Sequence, residues 1–182
     1  MAKIVVLIGN TGEPPAEMGV AAAEGAKGVR FAEVEIRTLG KASIAASHTH
    51  RPLASGDRLR EYDAIIVASG ERCVPAELEA ALNEFERGLP RDGVPNTVFA
   101  SVGSHSELLL GRLTLLGGII VSTPRGTNSP LDAATATGAR VAQIAEWVRH
   151  ALSHQQEHSV HHHDHQHEQQ SVTPRIRPSP AD

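Results

Sequence analysis

Near the amino terminus, the residues best suited to chemistry are the loop Asn10, Thr11 and Gly12. The loop follows an apolar run at residues 3–8 and precedes an alanine-rich stretch typical of a helix. In such a turn the backbone N–H groups point towards a common centre, and the helix dipole adds positive potential there. The pattern predicts that residues 10–12 bind a phosphate group.

The next three residues, Glu13, Pro14 and Pro15, change the chemistry of this loop. Each proline lacks a backbone N–H donor. A carboxylate about 5 Å from one phosphate charge opposes binding by about 3 kcal/mol at an effective dielectric of ~20. Two interpretations stay open: these residues start the helix, where proline and an acid are both favoured, or the Glu13 carboxylate occupies the anion site itself.

Two further loops carry polar residues after apolar runs. One contains Ser69, Arg72 and Cys73, and the other contains Gly103 and Ser104. Arg72 is a candidate ligand for a phosphate or for a polar ligand edge, or else a solvated surface charge. Cys73 is either a reactive thiol or a small packed side chain. We predict that Ser69, Arg72, Gly103 and Ser104 belong to the same binding site as residues 10–12.

His105 lies between Ser104 and Ser106, which raises the possibility of a nucleophile and a general base. No strained Gly-x-Ser-x-Gly turn and no third member of a triad is evident in the sequence. We therefore interpret Ser104 or Ser106 as the N-cap of a helix.

Strand-like and helix-like segments alternate along the chain. The pattern predicts strands at 3–8, 31–37, 62–68, 96–101 and 118–122, and helices at 16–27, 75–87, 105–117 and 130–152. This alternation is typical of an α/β three-layer sandwich around a five-stranded parallel sheet in the order 2-1-3-4-5. Charged residues alternate with apolar ones at 31–37, which predicts an edge strand. The three loops then follow strands one, three and four, whose carboxyl ends form the ligand crevice in such folds.

Composition narrows the class of protein. The 182 residues are 40% hydrophobic and carry a formal net charge of -4, so nucleic acid and anionic membranes are not expected partners. The single cysteine excludes an intrachain disulfide. With no signal-peptide pattern and no apolar run long enough to cross a bilayer, the sequence predicts a soluble cytoplasmic protein.

Four segments carry a resemblance to a known family: AKIVVL before the first loop, MGVAAAEGA in the first helix, EYDAII at the third strand and PLDAATATGARVAQIA in the last helix. Together they resemble flavodoxin-like proteins, and in detail the NAD(P)H:quinone oxidoreductases of the tryptophan-repressor-binding-protein (WrbA) type. The resemblance implies FMN at the three loops, NAD(P)H and a quinone as redox partners, and a homo-oligomer. The family's long glycine-rich third loop is shortened here to VGSHS. A flavin-free binding or assembly module is therefore the alternative.

Histidines dominate the end of the sequence. Beyond residue 153 the composition becomes polar, so we predict a domain at 1–153 and a disordered histidine-rich tail at 154–182. Imidazole suits Zn²⁺, Ni²⁺ and Cu²⁺, so the tail is a candidate metal-binding segment. Its seven histidines are His154, His158, His161, His162, His163, His165 and His167.

If the last helix continues, His150, His154, His158 and His162 share one helix face at i, i+4 spacing. The alternatives are a polar tail with incidental metal binding or, given the interrupting Asp164 and Gln166, less readily an expression tag.

Overall fold

The computed structural model describes residues 1–9, 13–39, 49–53, 58–70, 74–89, 96–103 and 106–169. Its strands are β1 (Ala2–Ile8), β2 (Ala32–Thr38), β3 (Arg51–Pro52), β4 (Ala64–Ala68), β5 (Val98–Val102) and β6 (Ile119–Val121). Its helices are α1 (Glu13–Lys27), α2 (Ala76–Arg87), α3 (Ser106–Leu115) and α4 (Pro130–Gln169), with a 3-10 turn at Leu59–Glu61 before β4.

Within the described residues, the six strands form one parallel sheet in the order β3-β2-β1-β4-β5-β6. The predicted α/β class with a parallel sheet is confirmed, but the predicted count of five strands in the order 2-1-3-4-5 is wrong. A two-residue strand, β3, lies outside β2, and Leu53 N–H donates to the Thr38 carbonyl oxygen at 2.8 Å beside it. The segment at 31–37 is therefore not an edge strand. A two-residue strand containing a proline is too short to show any periodicity.

Each face of the sheet carries its own apolar core, because successive side chains of a strand point to opposite faces. On one face, β1 packs against α1 and α4 through Ile4, Val6 and small residues of both helices. On the other face, β1 contributes Val5 and Leu7 to a core shared with α2 and α3. The continuous apolar run of β1 is thus explained by cover on both faces.

Two glycines allow α1 and α4 to touch through their backbones. A Cβ built on Gly138 would lie 1.9 Å from the carbonyl oxygen of Ala22, and one on Gly25 would lie 2.0 Å from that of Thr135. Real Cβ atoms cannot approach an oxygen so closely, so both positions require glycine for this helix packing.

The last helix is longer than the sequence predicts. We expected it to end at Leu152, whereas α4 continues to Gln169. No glycine or proline occurs between Gly138 and Pro174, so nothing in the local sequence forces an earlier end. The chain divides into two compact units, Met1–Arg149 and His150–Asp182. The predicted boundary near Ser153 and the predicted disorder beyond it stay predictions.

None of the helices in the described ranges combines the length and the apolar character needed to cross a bilayer.

Candidate functional site

The ends of β1, β4 and β5 lie level with one another in the sheet. Ile8 is paired with Ala68, and Ala68 with Val102. One residue further on, Gly9 N–H donates to the Ala68 carbonyl oxygen at 2.8 Å, and Ser69 N–H donates to that of Val102 at 3.2 Å. The three loops that carry the predicted site residues therefore start side by side at the carboxyl edge.

Gly103 lies directly against Ser69. Gly103 has a φ of +113°, and a Cβ built on it would lie 2.4 Å from the Ser69 carbonyl oxygen. Both the backbone conformation and the close approach exclude a side chain at this position. The structure thus brings together two of the predicted site residues, and it shows why one of them is glycine.

Ser69 is buried between the other two loops, with only 6% of its surface exposed. A Cβ built on Gly9 would lie 3.4 Å from the Ser69 hydroxyl oxygen. The hydroxyl of Ser69 therefore lies next to the start of the first loop. Gly9 leaves that approach open because it has no side chain.

Helix α1 begins at Glu13, immediately after the first loop. Pro14 and Pro15 occupy its first turn, so the interpretation of these residues as a helix start is confirmed. The positive dipole end of this 15-residue helix belongs to the carboxyl edge of the sheet, but Pro14 and Pro15 supply no N–H donor to its first turn. The Glu13 side chain lies outside the described part of the structure, so its occupation of the anion site stays a hypothesis.

Several predicted site residues fall outside the described ranges. They are Asn10, Thr11, Gly12, Arg72, Cys73, Ser104 and His105. Ser106 is the first residue of α3, which is consistent with a helix start at the third loop.

Aromatic residues are absent from the carboxyl edge of the sheet. Phe31 and Tyr62 precede β2 and β4, and Phe99 lies near the start of the buried strand β5. Phe85 is near the end of α2, and Trp147 lies 17 residues after the start of α4, about 25 Å along its axis. All five aromatic residues of the chain are described, so none of them supplies a stacking surface at this edge.

A second polar cluster, which the sequence analysis did not identify, lies on the face of β2 and joins it to β3 and β4. Glu35 accepts hydrogen bonds from the Tyr62 hydroxyl and from Arg51. The buried Arg37 places its Nη2 atom 3.2 Å from Glu35 and 3.5 Å from the Tyr62 hydroxyl. The cluster borders a cavity of about 420 Å³, whose charged lining residues are Lys3, Glu33, Glu35, Arg51 and Glu61.

Burial and neighbouring charges act in opposite directions on the pKa values of this cluster. Partial burial alone would raise the pKa of Glu35, but the hydrogen bonds from Tyr62 and Arg51 and the charges of Arg37 and Arg51 lower it below its ordinary value. Burial and the hydrogen bond to Glu35 raise the pKa of Tyr62, and Arg37 offsets part of that rise. Glu33, Glu35 and Arg37 alternate in sequence as a solvated strand face would. The sequence did not reveal strand β3, and it is β3 that brings Arg51 beside Glu35.

Two histidine side chains are described in the second unit of the chain. The ring centroids of His150 and His154 are 4.5 Å apart, with an interplanar angle of 63°. The other six predicted ligands, from His158 to His167, belong to helical backbone whose side chains lie outside the described part. Among the side chains that are described, no group of three or more metal-ligating residues comes together.

Comparison with known proteins identifies solved structures of similar architecture. No protein-family model and no curated protein matches the chain. Among solved structures, the flavodiiron core of Flv1 from Synechocystis sp. PCC6803 is similar, with 14% identity and a TM-score of 0.50 over 80% of this chain and 36% of that one. The chain has a flavodoxin-like fold.

Two other solved structures show a weaker likeness. A flavodoxin-like domain from Synechococcus sp. has 14% identity and a TM-score of 0.47, covering 78% of this chain and 96% of that one. A dodecameric FMN-dependent UbiX-like decarboxylase from Escherichia coli O157:H7 has 17% identity and a TM-score of 0.44, covering 78% and 92%. At these levels of similarity the comparison concerns architecture and not activity.

Proposed function

We propose that the chain binds FMN at the carboxyl edge of β1, β4 and β5 and acts as an NAD(P)H:quinone oxidoreductase. The observation that carries the proposal is the junction at this edge. Gly9 and Gly103 both lie against Ser69 there: a Cβ built on Gly9 would lie 3.4 Å from the Ser69 hydroxyl oxygen, and one built on Gly103 would lie 2.4 Å from the Ser69 carbonyl oxygen. The start of α1 follows the first of these loops. Ligands of open parallel α/β sheets bind at this edge, where the strand order reverses.

The described residues fit a phosphate-bearing ligand in two respects. The first loop leads directly into the positive end of α1, and Gly103 keeps its backbone free of a side chain beside Ser69. In our proposal Asn10, Thr11 and Gly12 hold the phosphate, while Ser69, Arg72, Gly103 and Ser104 complete the site. Since no aromatic residue lies at this edge, the phosphate group supplies a large share of the affinity.

When bound, FMN would supply hydride acceptance from NAD(P)H and two-electron transfer to a quinone. The protein's own contribution is to bind and orient. In this proposal, backbone N–H groups at 10–12 would donate hydrogen bonds to the phosphate, and Ser69 is held in place by its burial. The proposal includes a homo-oligomer, as the family resemblance implies, and the cytoplasmic location predicted from the sequence.

The redox part of the proposal is tested separately from binding. Purified protein is supplied with FMN, NADH or NADPH, and benzoquinone, and nucleotide oxidation is followed by absorbance at 340 nm. We expect oxidation that depends on both protein and quinone and exceeds the rate with free FMN. Stoichiometric FMN binding without such oxidation would refute the quinone reductase activity and leave the flavin site standing.

Glu13→Gln distinguishes the two interpretations of the first loop. A gain in FMN affinity would support a carboxylate in the anion site, because the substitution removes the charge and keeps the shape. Unchanged affinity would contradict that hypothesis and leave Glu13 as a helix-start residue. Glu17→Gln, at an exposed position on the same helix, is the matched control for charge.

A flavin-free binding or assembly module is the second candidate function. It is favoured by the two prolines in the first turn of α1 and by the absence of aromatic residues from the carboxyl edge. The discriminating result is failure of purified protein to bind added FMN.

A further inference from the structure

Helix α4 presents histidines at the spacing of one helical turn. His150 and His154 are separated by four residues, and their rings approach to 4.5 Å between centroids. Residues four apart on a helix are neighbours on its surface. The helical backbone continues to Gln169 without interruption, so the same spacing recurs beyond this pair.

The geometry of the pair suits a shared metal ion. Two imidazoles bound to one metal ion through nitrogens about 2.1 Å away have ring centres roughly 4.6 Å apart when the two bonds meet at 90° and roughly 5.3 Å apart at the tetrahedral angle. The separation of 4.5 Å between His150 and His154 is close to the value for 90° before any metal is present. Rotation of the side chains would then direct one nitrogen of each ring to a common point.

We propose that His150 and His154 chelate a divalent transition metal ion on the surface of α4. Neutral imidazole nitrogen suits Zn²⁺, Ni²⁺ and Cu²⁺, whereas Mg²⁺ and Ca²⁺ prefer oxygen ligands. Two imidazoles do not saturate such an ion, so water fills its remaining positions.

The same spacing recurs in the sequence further along the helix. Four further pairs have i, i+4 spacing: His154 and His158, His158 and His162, His161 and His165, and His163 and His167. Both side chains are described only for His150 and His154, so the proposal concerns this pair. This inference does not depend on flavin binding.

The test isolates the described pair in the full-length chain. The background variant replaces the six later histidines with glutamine, a good helix former: H158Q, H161Q, H162Q, H163Q, H165Q and H167Q. In this background the only i, i+4 histidine pair is His150 and His154. Binding of NiCl₂ is measured by isothermal titration calorimetry, with helix content checked by circular dichroism.

The matched control exchanges two neighbouring exposed residues, R149H together with H150R, in the same background. Composition and charge are unchanged, but the two histidines become five residues apart and no longer share a helix face. We expect the exchange to weaken Ni²⁺ binding roughly tenfold or more, because a chelating second ligand acts at high effective concentration.

A second readout uses Trp147, the chain's single tryptophan, which is 69% exposed and lies three residues before His150 in sequence. We expect CuCl₂ to quench its fluorescence in the background variant and much less after the exchange. Equal Ni²⁺ affinity and equal quenching in the two variants would overturn the proposal, because histidine spacing would then have no effect.

Discussion

Gly103 approaches Ser69 so closely that a Cβ at position 103 would lie 2.4 Å from the Ser69 carbonyl oxygen. The second and third loops of the sheet are therefore packed backbone against backbone at the proposed flavin site. This contact is the most specific feature of the site within the described residues. It makes the position of the third loop sensitive to a single methyl group.

Gly103→Ala is expected to displace the third loop from Ser69 and so to lower FMN affinity. The methyl group must displace one loop from the other, and an alanine at a φ of +113° adds strain of about 1–3 kcal/mol. The control is Gly126→Ala, where φ is +84° but nothing lies within 4 Å of the added Cβ. FMN titration of both variants is the measurement. A loss of affinity shared equally by both variants would show that the contact with Ser69 is not its cause.

Gly138→Ala is expected to destabilise the protein by about 1–3 kcal/mol, since it forces α4 away from Ala22 of α1. Gly111→Ala is the control, because Gly111 is an exposed glycine inside α3 with open space around it. There the better helix propensity of alanine should stabilise by about 0.5–1 kcal/mol. Urea denaturation measures both values. Stabilisation by both substitutions would contradict the close helix packing.

Acid should weaken the fold partly through Glu35. Its pKa is lowered in the folded state, so its contribution to the free energy of unfolding is complete above the unfolded pKa of about 4.5. That contribution is lost as the pH falls through the lower folded value. Glu35→Gln should therefore flatten the dependence of unfolding free energy on pH below about pH 5. Urea denaturation between neutral and acidic pH gives this slope, and an unchanged slope would exclude Glu35 as its source.

Tyr62 gives the complementary prediction at alkaline pH. Its pKa is raised in the folded state, so its contribution is complete below the unfolded pKa of about 10 and is lost as the pH rises through the higher folded value. Tyr62→Phe should remove that part of the alkaline loss of stability. It should also raise the pKa of Glu35, because it removes a hydrogen bond to the carboxylate. Comparing the acid and alkaline limbs of the two variants tests whether the residues act as one unit.

The sequence predicted the parallel sheet and the position of its three loops because long apolar runs such as Ala2–Ile8 and Ala64–Ala68 report burial on both faces. The sequence did not predict features that depend on contacts between distant segments of the chain. The two residues of β3 carry no periodicity, and only the folded sheet brings Arg51 to Glu35. The length of α4 was also missed, because we took a change in composition at Ser153 for the end of the helix.

For the candidate site, sequence reasoning chose Gly103 and Ser69 by their place after strands. The reason that they must be close, a backbone contact between two loops, becomes visible only in three dimensions. The contact forms because Ala68 of β4 is paired with Val102 of β5, so that Ser69 and Gly103 follow at the same level of the sheet.

The central claim is that the carboxyl edge of the sheet binds FMN through its phosphate. The most direct measurement is a titration of purified protein with FMN and, in parallel, with riboflavin, which lacks the phosphate; flavin fluorescence and visible absorbance report binding. The account predicts one FMN per chain and riboflavin affinity weaker by roughly tenfold or more, as expected for loss of a charge-assisted contact of about 1.5–3 kcal/mol. A protein that binds neither flavin, or both equally, would contradict it.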